Sequence, residues 1–520
     1  MQLKLLLSCV PVSLLVIFLF ACSPQEPTPV VRIEIDPAAI SAWEALSAEH
    51  PLPAGFKVMP AAESAADSAT EPRKPASTKL IATIELLHYQ PAEDAAERSQ
   101  RTEEETLLIE QRYFVPAVPM WDPRNNIEMK SVKETGIVPL EDLSLPYKAL
   151  PVDGMHIDSA DYPLVEQKIL SLTWEELQES DTEAAELRSW YENLRSEYQS
   201  PAEIEPMPIA WIGGVGDIMV QRGVQSLLIG KGRSGLQTVF QNTLPVLQRQ
   251  DFLIGNLEGA VTNRGLPTPK SYNFRFSPDV LPALKSAGFD YFSITNNHCY
   301  DFGTTGFTDT LTHLEAHGLL TSGAGRTPKA AYTPARSTIH GTDVTVLSVG
   351  AYPQERNGFD GRRQAQVTEE RPGIVFSGRK FLDTVAEISS EAGIDIVVAH
   401  GGQEWSSRPT AEQRRFYRAC IEAGADLVLA HHPHVLQGME AFKDGLIAYS
   451  LGNFIFPGMY VMPNAEQSLI LSTGYYGSRL VYIEPHPVKI NNRVIDLDAP
   501  DGPVLARFLK LTEQLHHESR

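Results

Sequence analysis

The chain has 520 residues, with 44 Lys and Arg against 65 Asp and Glu, so its formal net charge at neutral pH is −21. This length is enough for two or three domains, each with its own apolar core. The acidic balance argues against nucleic acid as a partner, because phosphate backbones are bound by clustered Lys and Arg. The four Cys are too few for a disulfide scaffold.

Residues 1–22 have the pattern of an export signal. Lys4 precedes an apolar run from Val10 to Phe20, which is too short to span a ~30 Å hydrocarbon core comfortably. The ending Leu19-Phe20-Ala21-Cys22 resembles a bacterial lipobox, in which the Cys becomes the lipid-modified N-terminus. We therefore predict lipidation at Cys22 and attachment to the membrane in the extracytoplasmic cell envelope. An uncleaved anchor and a simple secretory signal are the alternatives.

Residues 23–29 are Pro-rich and predict a short extended tether. Residues 30–205 predict an N-terminal α+β region with a surface loop at 60–77. The predicted elements of this region are strands at 30–35, 80–87 and 107–115 and helices at 38–48 and 174–197. Residues 138–164 weakly resemble the closing part of a lobe of a periplasmic solute-binding protein. Since no chemical constellation stands out, we expect a scaffold or a partner-binding role.

Residues 206–490 are different, because short apolar strands alternate with capped helices, as in layered α/β folds. Ser277-Pro278 predicts a helix start, and Gly288 predicts the matching stop. Thr410 and Gln413 have the spacing of a capping box. Residues 491–520 are expected to form a C-terminal tail that finishes in a polar helix.

Polar residues directly follow apolar strands at five places in this domain. The five groups are Asp217, Asn256 to Glu258, Asn296 to Asp301, His400 to Glu404, and His431 to His434. Each group alone is typical of a helix cap, a turn or a core histidine. Sites in open α/β sheets lie at the carboxyl ends of the strands, so we expect the five groups to converge. Carboxylates, amides and imidazoles together are the ligands that divalent metals require.

In this order, the motifs resemble those of the CapA family of capsule-synthesis, poly-γ-glutamate-associated proteins. The motifs are Gly216-Asp217-Ile218-Met219, Asn256-Leu257-Glu258, Asn296-Asn297-His298-x-x-Asp301-x-Gly303, His400-Gly-Gly-x-Glu404, His431-His432-Pro433-His434 and Ser450-Leu451-Gly452-Asn453-Phe454-Ile455-Phe456. The resemblance covers roughly residues 209–460. It implies a calcineurin-type metallophosphatase fold, in which helices flank a sandwich of two mixed β-sheets.

The resemblance also implies a division of roles around one or two divalent metals, which in such sites activate a water and stabilise developing charge. Asp217 and His434 would bind one metal, Glu258 would bridge, and His298 would be an acid oriented by Asp301. The ligands implied for the other metal are Asn297, His400 and His432. Mn, Mg, Zn and Fe all accept such ligands, so the identity of the metal stays open.

The first motif departs from the metallophosphatase pattern. The broader fold has a His two residues after the Asp, whereas this chain has Met219. A thioether is a poor ligand for Mg, Mn or Zn in an oxygen-rich site, so one metal loses an imidazole. Hydrolytic activity therefore cannot be inherited from the fold alone.

Charged residues in the neighbouring loops are candidates for binding the carboxylates or phosphates of a substrate. The candidates for this role are Lys270, Arg275 and Arg408, and Glu404 is a further candidate for contacting the substrate. Three classes of function remain open at this stage. The chain could be an envelope protein that acts in synthesis, export or retention of an anionic polymer, alone or with a polymer synthase. It could instead be a surface metallophosphoesterase or a non-catalytic binding module.

Overall fold

The computed structural model describes residues 18–19, 28–35, 40–51, 56–57, 78–89, 106–174, 182–198, 207–355, 359–459 and 461–518. Cys22 and the loop 60–77 lie outside the described residues, as do most of the predicted signal peptide and tether. The predictions made for them stay predictions. None of the helices in the described part of the chain has both the length and the apolarity needed to cross a bilayer.

The chain divides into two compact units. The first consists of Met1–Val115, Ile137–Glu141 and Met155–Pro206, and the second consists of Pro116–Gly136, Asp142–Gly154 and Met207–Arg520. Two segments of the predicted N-terminal region thus group with the second unit, which no sequence pattern indicated. The physical reason is burial: Met120 is fully buried in the main core of that unit, and the Trp121 ring lies 4.3 Å from that of His516.

The first unit contains a mixed sheet in the order β2-β4-β8-β5-β6. Its strands are β2 (Thr28–Ile35), β4 (Thr78–Tyr89), β5 (Thr106–Pro119), β6 (Ile137–Pro139) and β8 (Val165–Trp174). A two-residue pair, β1 (Phe18–Leu19) with β3 (Phe56–Lys57), and the helices α1 (Ile40–Glu49) and α3 (Thr182–Glu197) complete the described elements of this unit. The three predicted strands and the first predicted helix are confirmed.

The predicted helix over 174–197 is wrong at its start. Trp174 ends strand β8, which pairs on one side with β4 and on the other with β5, and the helix begins only at Thr182. A central strand receives its hydrogen bonds from distant segments, and the composition of a single segment does not reveal those partners.

The second unit is built on two mixed sheets. The first sheet has the order β13-β10-β9-β23-β24-β25, with β22 also paired to β9, and the second has the order β15-β16-β18-β19-β21-β20. The strands of the first sheet are β9 (Ala210–Ile218), β10 (Phe252–Leu257), β13 (Phe289–Ser293), β22 (Asn453–Ile455), β23 (Gln467–Tyr476), β24 (Arg479–Asn491) and β25 (Val494–Leu497). The strands of the second sheet are β15 (Ala335–Ile339), β16 (Thr342–Ala351), β18 (Ile394–Gly401), β19 (Leu427–His431), β20 (Met439–Phe442) and β21 (Gly445–Ala448).

Short strands and helices surround these sheets. The short strands are β7 (Tyr147–Ala149), β11 (Ala260–Val261), β12 (Arg275–Phe276), β14 (Ala324–Gly325) and β17 (Gly373–Ile374). The helices are α2 (Val132–Thr135), α4 (Val224–Leu228), α5 (Gly232–Phe240), α6 (Thr243–Gln248), α7 (Leu281–Ser286), α8 (Gly303–Ala316), α9 (Pro328–Tyr332), α10 (Gly361–Gln364), α11 (Arg379–Ile388), α12 (Ala411–Glu422) and α13 (Pro503–Glu518).

Three apolar clusters define the layers of the second unit. One joins the facing sides of the two sheets, for example Ile254 and Val398, and includes Phe508 of α13. A second lies between the outer side of the first sheet and helices α4 to α8, and a third lies between the second sheet and helices α11 and α12. The predicted sandwich of two mixed sheets flanked by helices is confirmed.

Local signals in the second unit also match the structure. The Ser277 side chain accepts from the backbone N–H of Asp279 and starts a short 3₁₀ turn that leads into α7. Thr410 and Gln413 form a complete capping box at the start of α12. The segment 491–520, expected to be a tail, instead adds β25 to the first sheet and buries one face of α13, because that helix has apolar residues at helical spacing.

Candidate metal centre

The carboxyl ends of parallel strands bring the five predicted groups together. Asp217 in β9 pairs in register with Asn256 in β10 and with Asn453 in β22. In the second sheet, His400 at the end of β18 pairs with His431 at the end of β19. The convergence predicted from the sequence therefore exists at the level of individual side chains.

Two groups of side chains have the geometry to hold a metal ion. We call Asp217, Glu258 and His400 the inner group, and Glu404, His432 and His434 the outer group. Within each group, one ligand atom per residue lies within 4.8 Å of the others. The inner group is fully buried, whereas Glu404 in the outer group is exposed.

Glu258 lies between the two groups. Its Oε1 is 3.7 Å from Nε2 of His434 in the outer group, and Glu258 belongs itself to the inner group. This position agrees with the bridging role implied by the family resemblance. The division of the imidazoles between two metals stays a prediction: Nδ1 of His434 lies 3.0 Å from Oδ2 of Asp217, and the rings of His400 and His432 lie 4.9 Å apart.

The chemistry of the donor set fits a divalent cation. Oε1 of Glu258, Nδ1 of His400 and Nδ1 of His432 are buried and have no hydrogen-bond partner among the described residues. Burying a polar atom without a partner costs free energy of folding, and metal ions bound by these atoms would remove that cost. Carboxylate oxygen and imidazole nitrogen are ligands of Mn, Fe and Zn.

The pKa values of the two carboxylates of the inner group are shifted in opposite directions. Burial, together with the charge of Asp217, raises the pKa of Glu258 well above its usual value. Burial also acts to raise the pKa of Asp217, but the hydrogen bond and the charge of His434 outweigh it and lower that pKa. Nδ1 of His434 lies 3.0 Å from Oδ2 of Asp217. A bound cation would favour the charged form of Glu258 and so oppose this upward shift of its pKa.

The pKa values of the imidazoles are also shifted in opposite directions. Burial and the charge of His434 lower the pKa of His432 to about 3, and burial with the charge of His432 lowers the pKa of His400 well below its usual value. Neutral imidazoles are the form that binds metals. For His434, burial acts to lower the pKa, but the charge of Glu258 and the hydrogen bond with Asp217 outweigh burial and raise the pKa to about 10. His431 serves the fold, because its Nε2 lies 2.9 Å from the carbonyl oxygen of Val215.

Three buried amides orient the acidic and imidazole side chains. Asn256 Nδ2 donates to Asp217 at 2.8 Å, and Asn296 Nδ2 donates to Asn256 at 3.0 Å. Asn453 Oδ1 lies 3.0 Å from Nδ1 of His434. We did not select these amides from the sequence as site residues, although each lies inside one of the quoted motifs. Such partners fix the direction of metal ligands.

His298 and Asp301 form a buried pair beside the inner group. Nδ1 of His298 lies 2.6 Å from Asp301, and its Nε2 lies 3.8 Å from Glu258. The Phe274 ring stacks on His298 with centroids 4.2 Å apart, and burial lowers the pKa of His298. The geometry holds one nitrogen of the ring toward the site and the other toward Asp301.

Asn297 contacts a predicted ligand but uses its amide for hydrogen bonds. Its Oδ1 lies 3.0 Å from Nε2 of His400, and its Nδ2 donates to Glu355 at 3.2 Å. Glu355 was not selected from the sequence, because nothing in its own segment marks it. The structure brings Asn297 to the site, and its role as a metal ligand stays a prediction.

The predicted substrate-binding residues lie in different environments. Lys270 is buried and donates to the Asn297 carbonyl, to Asp301 and to Glu355, so its ammonium group already has three acceptors in the chain. These contacts are internal to the protein, and substrate binding by Lys270 stays a prediction. Arg275 stacks its guanidinium 4.5 Å from the Phe302 ring centroid, and Arg408 is exposed. For these two arginines, substrate binding stays a prediction.

Met219 does not replace the missing imidazole. Its side chain is fully buried in the apolar cluster on the helix-covered side of the first sheet. The departure noted in the sequence is thus a real loss of one ligand at the position of the first motif.

Comparisons with known proteins match the segment of the chain that contains these residues. Residues 212–458 match the family model described as "Bacterial capsule synthesis protein PGA_cap". The PGA biosynthesis protein CapA of Bacillus subtilis is 31% identical over 246 residues, which is 46% of this chain and 62% of that protein. The capsule biosynthesis protein CapA of Bacillus anthracis is 32% identical over 256 residues, which is 46% of this chain and 58% of that protein.

A probable polyglutamine synthesis accessory protein of Mycobacterium tuberculosis is 28% identical over 280 residues, covering 46% of this chain and 72% of that protein. This chain spans about three fifths of the length of the two Bacillus relatives. The matched segment contains all the residues of the inner and outer groups. Residues 212–458 are thus similar to the bacterial capsule synthesis protein family PGA_cap.

Proposed function

We propose that this protein is lipid-anchored through Cys22 in the bacterial cell envelope. There it acts in synthesis, export or retention of poly-γ-glutamate or a related anionic polymer. The family of residues 212–458 and the names of the relatives support the polymer. The lipobox-like ending at Cys22 supports the anchor. Since one relative is named as an accessory protein, we propose a polymer synthase as partner.

One observation supports this function best: the family motifs converge on buried carboxylates and imidazoles that fit a divalent cation. A bound cation would supply a positive centre for anionic groups of the polymer. Asp217, Glu258 and His400 would hold it on the buried side of the centre. Because Glu404 is exposed, polymer would approach from the side of Glu404.

A binding assay tests the proposal. Full-length protein in detergent is incubated with fluorescent poly-γ-glutamate after treatment with chelator and again after Mn²⁺ is restored. We expect affinity at least ~10-fold higher with Mn²⁺, in line with the usual effect of disturbing a metal site. Asp217→Asn with His400→Ala should abolish the difference. Equal affinity with and without metal, or equal affinity for a neutral polysaccharide, would refute the metal-dependent polymer function.

A surface metallophosphoesterase is the second candidate, and the pair formed by His298 and Asp301 favours it. Nε2 of His298 lies 3.8 Å from Glu258, a position from which the ring would give a proton to a leaving group. The same preparations are therefore tested with 4-nitrophenyl phosphate. Turnover that needs Mn²⁺, without affinity for the polymer, would select the phosphoesterase. Polymer affinity that needs Mn²⁺, without turnover, would select a binding module.

A further inference from the structure

Two loops of the site are fixed to each other by main-chain and ring contacts. The backbone N–H of Trp405 donates to the carbonyl oxygen of Pro433 at 2.9 Å. The Trp405 ring also lies 5.3 Å from the ring of His434. These contacts hold Glu404, the residue before Trp405, beside the turn that contains His432 and His434.

The backbone of both loops is strained at this contact. Trp405 has φ +66°, His432 has φ +100°, and His434 has φ +57°. Non-glycine residues adopt these angles at a cost of about 1–3 kcal/mol each, and such strain persists where the surrounding structure demands it. A strained arrangement that places three potential metal ligands together needs a reason beyond the fold.

We propose that Glu404 is a metal ligand and that it completes, with His432 and His434, a cation site on the exposed side of the centre. One ligand atom from each of the three residues lies within 4.8 Å of the others. His432 is 4% exposed, and its Nδ1 has no hydrogen-bond partner among the described residues. Glu404 thereby restores the ligand count that the centre loses at Met219.

Two imidazoles and one carboxylate are a ligand set known for zinc sites that keep one position for water or substrate. Because Glu404 is exposed, the outer group is accessible to solvent, whereas the side chains of the inner group are fully buried. The inference replaces the substrate-binding role predicted for Glu404. It concerns metal binding alone, so its test does not depend on the proposed polymer.

Zinc binding to the full-length protein tests this site. Wild type, Glu404→Gln, Glu404→Asp and the exposed control Glu412→Gln are freed of metal with chelator and dialysed against Zn²⁺. Bound zinc is then measured by elemental analysis. We expect wild type and Glu412→Gln to bind two zinc ions per chain. In Glu404→Gln one of them should be lost or bound at least ~10-fold more weakly, and Glu404→Asp should recover part of that affinity.

Thermal unfolding of the metal-free proteins serves as the folding control. Glu404→Gln should have the same Tm as wild type, because an exposed carboxylate contributes little to stability. Fewer than two zinc ions on wild type, or unchanged number and affinity in Glu404→Gln, would overturn the inference. Unchanged zinc binding with weaker polymer binding in Glu404→Gln would return this residue to a substrate-binding role.

Discussion

Asp301 shows how single residues hold the centre in place. Its Oδ1 accepts from Lys270 at 3.0 Å, and its Oδ2 accepts from the backbone N–H of Phe274 at 2.7 Å and lies 2.6 Å from His298 Nδ1. The side chain of Lys270 is 1% exposed and that of Asp301 is fully buried. The buried ammonium of Lys270 therefore needs carboxylates to balance its charge. Asp301 contacts both this ammonium and the His298 ring beside the inner group.

We predict that Asp301→Asn lowers the free energy of unfolding by about 3–5 kcal/mol, because it leaves the ammonium of Lys270 with one carboxylate fewer in a buried place. Metal content should not change, since Asp301 belongs to neither metal-binding group. Urea denaturation and elemental analysis measure the two effects.

A double-mutant cycle separates the lost ion pair from general damage. Asp301→Asn combined with Lys270→Met should be less destabilised than the sum of the two single variants, by about 0.5–3 kcal/mol. The exposed pair of Arg379 and Asp383 is the control, and Asp383→Asn should change stability by less than about 1 kcal/mol. Strict additivity of the Asp301 and Lys270 effects would contradict the ion-pair explanation.

At this scale the sequence identified the chemistry of the centre better than the contacts within it. Asp217, Glu258, His400, His432 and His434 were predicted to meet, and they do, because each belongs to a motif at a strand end. The internal role of Lys270 was not predictable. It depends on Glu355, whose approach is set by the folding of a loop with no signal of its own.

Among the elements of the site, the loop between β18 and α12 contains Glu404 and is anchored at its base. Gly402 has φ +119°, and a Cβ there would lie 2.4 Å from Cδ of Gln413. Gln413 Nε2 donates to the Gly401 carbonyl at 3.2 Å, and Oε1 of Gln413 accepts from the Thr410 backbone N–H. One buried side chain thus caps α12 and fixes the loop to β18.

We predict that Gly402→Ala destabilises the protein by about 2–4 kcal/mol, since it adds backbone strain and displaces the side chain that caps the helix. Gly341→Ala is the matched control, because Gly341 also has positive φ but has no atom within 4 Å of its ideal Cβ. Its expected cost is only the strain, about 1 kcal/mol. Urea denaturation compares them, and equal losses would show that Gln413 is not displaced.

The elements were predictable where a local signal exists and not where partners decide. The capping box at Thr410 is predictable, because all its atoms come from four consecutive residues. The end of strand β8 at Trp174 is not predictable in this way, because its pairing with β4 and β5 is not local. Helix α13 was expected in a tail, because a polar helix reveals its buried face only when the core that receives it is known.

Across the second unit, buried titratable side chains lie at both ends of the second sheet. His400 and His431 lie at the carboxyl ends of β18 and β19, while Asp395 and Asp426 lie at the amino ends. The Asp426 side chain accepts from the backbone N–H of Asp395 at 2.7 Å. Burial raises the pKa of Asp426 to about 7, and its distance along the strand from the metal ligands makes its titration a property of the fold.

We predict that Asp426 makes the protein less stable as pH rises. Its folded pKa lies above the unfolded value, so its contribution is complete below about pH 4 and is lost as pH rises through about 7. Asp426→Asn keeps an oxygen for the Asp395 N–H and removes the ionisation. Between pH 4 and 8, wild type should therefore lose about 1–3 kcal/mol more stability than this variant does. The exposed Asp444→Asn shares the background from the net charge of −21 and should follow wild type, measured by urea denaturation in chelator. Parallel curves for wild type and Asp426→Asn would place the pH dependence elsewhere in the molecule.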